Sequence, residues 1–97
     1  MGYQVKLINS VLNEDIPKLE RSGKNLNILY KSLKKLESNP YSNSRAKSGD
    51  LANIRGMDWG KGYRILFKID EDSQLVIIIS IDAHENAYKK AKRRNQN

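Results

Sequence analysis

The 97-residue chain has no cysteine, one histidine, one tryptophan, one phenylalanine and two prolines. Without cysteine there is neither a disulfide framework nor a thiolate metal site, a composition suited to a reducing compartment. One histidine and no dense acidic cluster leave little from which to build a metal site. No metal or other cofactor is therefore expected. No apolar run approaches the ~20 residues of a membrane span. The opening residues, MGYQVKLINS, lack the apolar segment of a secretory signal. A cytoplasmic protein with no membrane partner is the expectation. Acids are scarce as well: 11 Asp and Glu face 18 Lys and Arg, for a net charge of +7 and a pI near 9.7. That excess favours a polyanion or an acidic protein as partner. Hydrophobic residues at 38% suffice for one modest core and one domain over residues 1–97.

The most informative stretch is 59–88, WGKGYRILFKIDEDSQLVIIISIDAHENAY. In its first apolar run, 63–69, Tyr63, Ile65, Phe67 and Ile69 alternate with Arg64, Leu66 and Lys68. This period of two predicts a strand with one apolar and one mixed face. The second run, LVIIISI at 75–81, is apolar on both faces and rich in β-branched residues, as in a central strand. The short polar connection makes the pair an antiparallel hairpin. Its open ends then meet, bringing Arg64 at the entry towards His84 and Tyr88 past the exit.

Upstream, Tyr3, Val5 and Leu7 alternate with polar residues, which predicts a first strand over 3–8. Leu12, Ile16 and Leu19 make a helical stripe. Pro17 places a helix start at 13–15 or a kink, and Ser22-Gly23 ends the helix. A second helix covers 24–37, with Leu26, Leu29, Tyr30, Leu33 and Leu36 on one face, and stops at Asn39-Pro40. Residues 41–50 are polar and loop-like. The segment 51–59 is weakly β-patterned, with Gly56 marking a bulge. Asp82 and Glu85 form a capping-box pattern. They open a basic helix with Ala87, Tyr88 and Ala91 on one side. The fold expected is α+β in the order β-α-α-β-β-β-α. It is a small antiparallel-rich sheet with an N-terminal helical hairpin on one face, leaving the other face or its rim for function.

Four motifs in this order resemble the RelE/ParE superfamily of bacterial type II toxins, its RelE-like branch in particular. They are Asp15-Ile16-Pro17-Lys18-Leu19, Leu36-Glu37-Ser38-Asn39-Pro40, Gly62-Tyr63-Arg64-Ile65-Leu66-Phe67, and the apolar strand running through Ile81-Asp82-Ala83-His84 to Tyr88 and a basic helix. The resemblance covers nearly the whole chain. It implies an mRNA interferase, a hydrolase that enters the ribosomal A site and cuts mRNA, held in a hetero-oligomer by a cognate antitoxin. The implied reaction is metal-free attack of a 2′-hydroxyl on the adjacent phosphate, giving a 2′,3′-cyclic phosphate and a 5′-hydroxyl. The chain departs from the family at Met57, Asp58 and Trp59, where others carry cations. It departs again at Asp82-Ala83-His84, where many read Gly-His-Arg.

The candidate catalytic set is Arg64, Tyr88 and His84. A guanidinium can hold the scissile phosphate bidentately. The spacing of four puts His84 and Tyr88 on one helical face, with Tyr88 orienting or deprotonating the 2′-hydroxyl and His84 donating a proton or contacting phosphate. Arg55 is the candidate for the missing cation and Lys61 for a backbone-phosphate contact. Trp59 offers a face for base stacking. Lys89 and Arg93, in the basic segment 89–94, complete the RNA-binding set. Two other readings share this charge and fold: a ParE-like DNA gyrase inhibitor and a degenerate, non-catalytic RNA-binding homologue.

Overall fold

The computed structural model describes residues 2–47 and 49–95. Its centre is the expected hairpin. Strand β4 (Tyr63–Asp70) pairs antiparallel with β5 (Leu75–Ala83). β3 (Arg55–Trp59) pairs with β4, and the two-residue β2 (Arg45–Ala46) pairs with β3, both antiparallel. β1 (Gln4–Leu7) lies parallel to β5, giving the sheet order β1-β5-β4-β3-β2. The helices are α1 (Ile16–Arg21), α2 (Leu26–Ser38) and α3 (His84–Asn95). The α+β class and element order match the expectation. β2 is an addition: the polar stretch at 41–50 supplies a short edge strand.

Alternation along the strands sorts the side chains onto two faces. Ile65, Phe67, Met57, Trp59, Val76, Ile78 and Ile81 face α1 and α2, packing on Leu19, Leu29, Leu33 and Leu36. Leu66, Ile54 and Ile79 face the other way, against Ala87 and Ala91 of α3. The second face is therefore partly covered by α3 rather than wholly left for function. Small alanines let α3 lie close to the sheet, which brings Tyr88 down beside β4.

Several local expectations are corrected. The bulge lies in β5: the register shifts between Leu66 and Phe67, leaving Ile79 as the extra residue, while β3 runs past Gly56 without a shift. Pro17 is accommodated by a π-helical turn over Val11–Asp15, in which the Ile16 N–H reaches the Val11 carbonyl. Tyr30, placed on the core face of α2 by its spacing, is 51% exposed. Gly23, at φ 75°, ends α1 as expected; the Lys24 N–H returns to the Leu19 carbonyl at 3.1 Å.

Asp82 does not open the helix. It sits in β5, its Oδ1 accepting the Ala83 N–H at 2.7 Å and its Oδ2 facing Lys18 at 3.0 Å and Lys90 at 2.7 Å. Lys90 and Arg94 also reach Asp15, each at 2.9 Å. These two cations, expected to face a partner, are committed to the interior.

Burial pushes the Asp82 carboxyl up, but donations from Lys90, Lys18 and the Ala83 N–H outweigh it, so it titrates below the ordinary carboxylate range. Lys90 is pushed down by burial and raised further by Asp82 and Asp15, ending above an ordinary lysine. The signs define a window. The Asp82 contribution is present above roughly pH 4 and is lost as pH falls through its lowered value. The Lys90 contribution is full below roughly pH 10 and is lost as pH rises through its raised value. Thermal unfolding followed from pH 2 to 12 should give a plateau with two falling limbs. In Asp82→Asn the acid limb should shrink; an unchanged limb would remove Asp82 from the linkage.

Candidate functional site

The site forms where β4, β3, the β2 segment and the first turns of α3 meet. Arg64 lies on the α3 face of β4, directly across from Asp58 on β3. Its Nε contacts Asp58 Oδ1 at 2.5 Å, and its Nη1 donates to the Tyr88 hydroxyl oxygen at 2.9 Å. Two of the three guanidinium nitrogens are thereby oriented before any ligand arrives. Since arginine only donates, the Tyr88 oxygen is the acceptor. His84 packs edge-on against the Tyr88 ring, with centroids 4.9 Å apart. The predicted triad therefore converges, with His84 exposed and Tyr88 and Arg64 half-buried. α3 starts here because the His84 N–H is fixed to the Gly62 carbonyl at 3.1 Å. Gly60 and Gly62, at φ 55° and 81°, form the tight β3–β4 turn that presents Lys61 at the same end of the hairpin.

The second cation is not Arg55. Arg55, Met57 and Trp59 share the face of β3 that looks towards α2, opposite Arg64. Arg55 donates from Nε to Ser44 Oγ at 2.7 Å and from Nη2 to the carbonyls of Ser44 and Tyr41 at 3.1 and 3.3 Å. It stacks on the Tyr41 ring, 5.1 Å from the centroid. Arg55 buttresses the turn before β2. Trp59 is likewise withdrawn from any base: it is 4% exposed in the main core, its ring 5.3 Å from that of Tyr63. Lys89 and Arg93 lie exposed on α3.

The cation that sequence reasoning missed is Lys47. Its N–H continues the ladder past β2 to the Ile54 carbonyl at 2.9 Å, and its Nζ lies 5.3 Å from the Tyr88 ring centroid. Gly56 makes this path possible, since a Cβ there would meet Lys47 Cε at 2.7 Å and Leu66 Cδ2 at 3.0 Å. The signal was the period-two pair Arg45 and Lys47, too short to register as a strand. Gly56→Ala should displace the flexible Lys47 side chain while leaving Arg64 in place. Affinity for a phosphate-bearing ligand should fall roughly tenfold, the order of one charge-assisted contact, with Tm lowered by only a few degrees. Equal affinity in Gly56→Ala and Lys47→Met relative to wild type would show that Lys47 takes no part.

The site can gather phosphate oxygens on Arg64 and Lys47 and present a phenol and an imidazole to the same ligand. RelE4 of Methanocaldococcus jannaschii, which carries the name of a candidate toxin, is 31% identical over 93 residues, covering 93% of this chain and 95% of its own. The chain belongs to the RelE toxin family. No protein-family profile matches it. Among solved structures, the RelBE2 toxin–antitoxin complex of Mycobacterium tuberculosis superposes with a TM-score of 0.74 at 23% identity, covering 87% of this chain and 100% of that one. A variant of the Escherichia coli toxin RelE in the free state gives 0.68 at 20% identity, covering 97% and 98%. These two place the fold among RelE structures. Among the described residues no helix of this RelE-type toxin is long and apolar enough to cross a membrane.

Proposed function

We propose that the chain is a ribosome-dependent endoribonuclease that cuts mRNA in the ribosomal A site and is held inactive by a cognate antitoxin. The observation that carries the reading is the 2.9 Å bond from Arg64 to the Tyr88 hydroxyl, with Lys47 and His84 against the same ring. In the proposed reaction Arg64 and Lys47 hold the scissile phosphate and stabilise charge developing on its oxygens. Tyr88 acts in its phenolate form, taking the proton of the 2′-hydroxyl as that oxygen attacks phosphorus. The bond from phosphorus to O5′ breaks, and O5′ takes a proton from the His84 imidazolium. The products are a 2′,3′-cyclic phosphate and a 5′-hydroxyl. The partner reading is supported by the antitoxin in the RelBE2 complex and by the +7 charge, which suits an acidic or amphipathic segment.

Brief expression followed by mapping of mRNA ends tests the activity. Cuts inside translated codons, bearing 5′-hydroxyls, are expected; a DNA-damage response without cuts would move the assignment to a gyrase inhibitor. On programmed ribosomes, Tyr88→Phe should slow cleavage about 10²-fold at unchanged Tm. His84→Gln should slow cleavage at unchanged Tm, because O5′ then lacks its proton donor. A rate unaltered by His84→Gln would leave a tyrosine–arginine centre without the histidine.

A further inference from the structure

Beside Arg64 the same face of the sheet holds a cavity of about 410 Å³, walled by Ser42, Asn43, Arg45, Lys47 and Asp58 and floored by Gly56. Its size falls in the range of ligand sites, roughly 300–1,000 Å³. The register explains how it arises. Arg45 pairs with Gly56, and Gly56 with Leu66. Directly paired residues project to one side, so Arg45 shares the face of Asp58 and Arg64. Arg45 and Arg64 stand on strands β2 and β4, with a glycine on the strand between them. Two strand spacings across and two residues along the strand set their backbones about 12 Å apart, and both side chains reach into one trough.

The far wall is rigid. Asn39 Oδ1 accepts the N–H groups of Tyr41 and Ser42, both at 3.1 Å, and Ser44 Oγ donates to the Pro40 carbonyl at 2.6 Å. Arg55 grips the turn from beneath, and the Tyr41 hydroxyl donates to Glu71. The lining is cationic, hydroxyl and amide, and its one carboxylate, Asp58, is already paired with Arg64. A trough with a cation at each end fits a linear ligand carrying successive anionic groups, that is, a single strand of nucleic acid.

We infer that this cavity is a second nucleotide subsite, taking the ribonucleotide next to the scissile bond with its phosphate on Arg45. This rests on reading the Arg64–Tyr88 centre as a ribonuclease, and it adds a residue and a wall that the chemistry itself does not use.

The test titrates two fully 2′-O-methylated probes, which cannot be cut, into the ¹⁵N-labelled full chain. One is a dinucleoside monophosphate with one phosphate; the other is a trinucleoside diphosphate with two. Both should shift amides around Arg64, Tyr88 and Lys47, and only the longer probe should also shift those of residues 42–45. Arg45→Ala should weaken the longer probe about tenfold, the order of one charge-assisted contact, and leave the shorter one unchanged. It should also lower the slope of log K against log salt by about 0.7, the value for one phosphate on a single strand. A purely structural role for Arg45 would not move that slope. The inference is overturned if the longer probe leaves residues 42–45 unshifted, or if Arg45→Ala leaves its affinity and slope unchanged. Should mRNA cutting on ribosomes still depend on Arg64 and Tyr88 in that case, the ribonuclease reading survives alone. Absence of cutting, with neither probe bound, defeats both. A subsite that takes an acidic peptide in preference to the longer probe also overturns it.

Discussion

Alanine in place of Arg64 is expected to slow RNA cleavage by roughly 10²–10³-fold, the usual loss when one charge-stabilising donor is removed, while the protein stays folded. Arg64 makes two contacts, and neither partner is stranded when it goes. Asp58 is 75% exposed and returns to water, and Tyr88 is only half-buried. A surface ion pair of this kind contributes within about 1 kcal/mol, so Tm should change by only a few degrees. The loss should appear in kcat more than in KM, because the guanidinium gains most from charge that builds up on the phosphate in the transition state. Arg64→Lys should recover little: an ammonium cannot hold Asp58, the Tyr88 oxygen and a phosphate edge at once. The measurement is single-turnover cleavage on programmed ribosomes beside a melting curve for each variant. Full activity in Arg64→Ala, or a loss that tracks the unfolded fraction, would sink the assignment.

The hairpin that carries Arg64 was legible because the run 63–69 alternates cleanly, fixing both strand and face. The same logic failed for β5. LVIIISI is apolar on both sides, so its pattern carries no phase, and the bulge at Ile79 shows only once β4 is laid against it. The site was half legible for a related reason. His84 and Tyr88 are four apart on a helix, and that spacing survives any tertiary arrangement. Arg55 was misassigned although its sequence held the answer: Arg55, Met57 and Trp59 have period two, so the arginine goes with the buried apolar pair and away from Arg64. Lys47 was hidden for the opposite reason. Two residues of strand in a polar segment carry no hydrophobic pattern, and their pairing is set by β3. Lys90 and Arg94 read as outward cations because charge on a helix usually is solvated. Nothing local reveals that a buried carboxylate, 75 residues before Lys90, waits for them.

That carboxylate carries the largest expected effect on stability. Asp15 is fully buried; its oxygens accept from Lys90, from Arg94 through two nitrogens, and from the Ile81 N–H at 2.9 Å. The last bond matters to the sheet. β1 ends at Leu7, paired with Ile78, so the edge of β5 beyond it has no strand. Asp15 caps the Ile81 N–H there, and Arg94 caps the Ile79 carbonyl at 2.9 Å. Asp15→Ala removes one partner from a buried cluster: Lys90 keeps only Asp82, Arg94 keeps only Glu14 and the Ile79 carbonyl, and the Ile81 N–H loses its acceptor. Breaking such a cluster on one side costs about 3–5 kcal/mol, and about 4–8 °C of Tm follows each kcal/mol in a domain of this size. The single variant should therefore melt well over 10 °C lower. The cause is the stranded charge rather than the lost contact, which makes the effect non-additive. Asp15→Leu combined with Lys90→Met and Arg94→Met should be more stable than Asp15→Ala, because the cations that faced Asp15 are gone while Lys18 still pairs with Asp82. Denaturant unfolding of the two variants decides it. A single-variant loss below about 1 kcal/mol, or a triple variant less stable than the single, would mean that solvent reaches the cluster. Because α3 carries Tyr88 only two residues before Lys90, the surviving folded fraction of Asp15→Ala should also cut RNA more slowly. The triple variant, with α3 held again, should regain that rate.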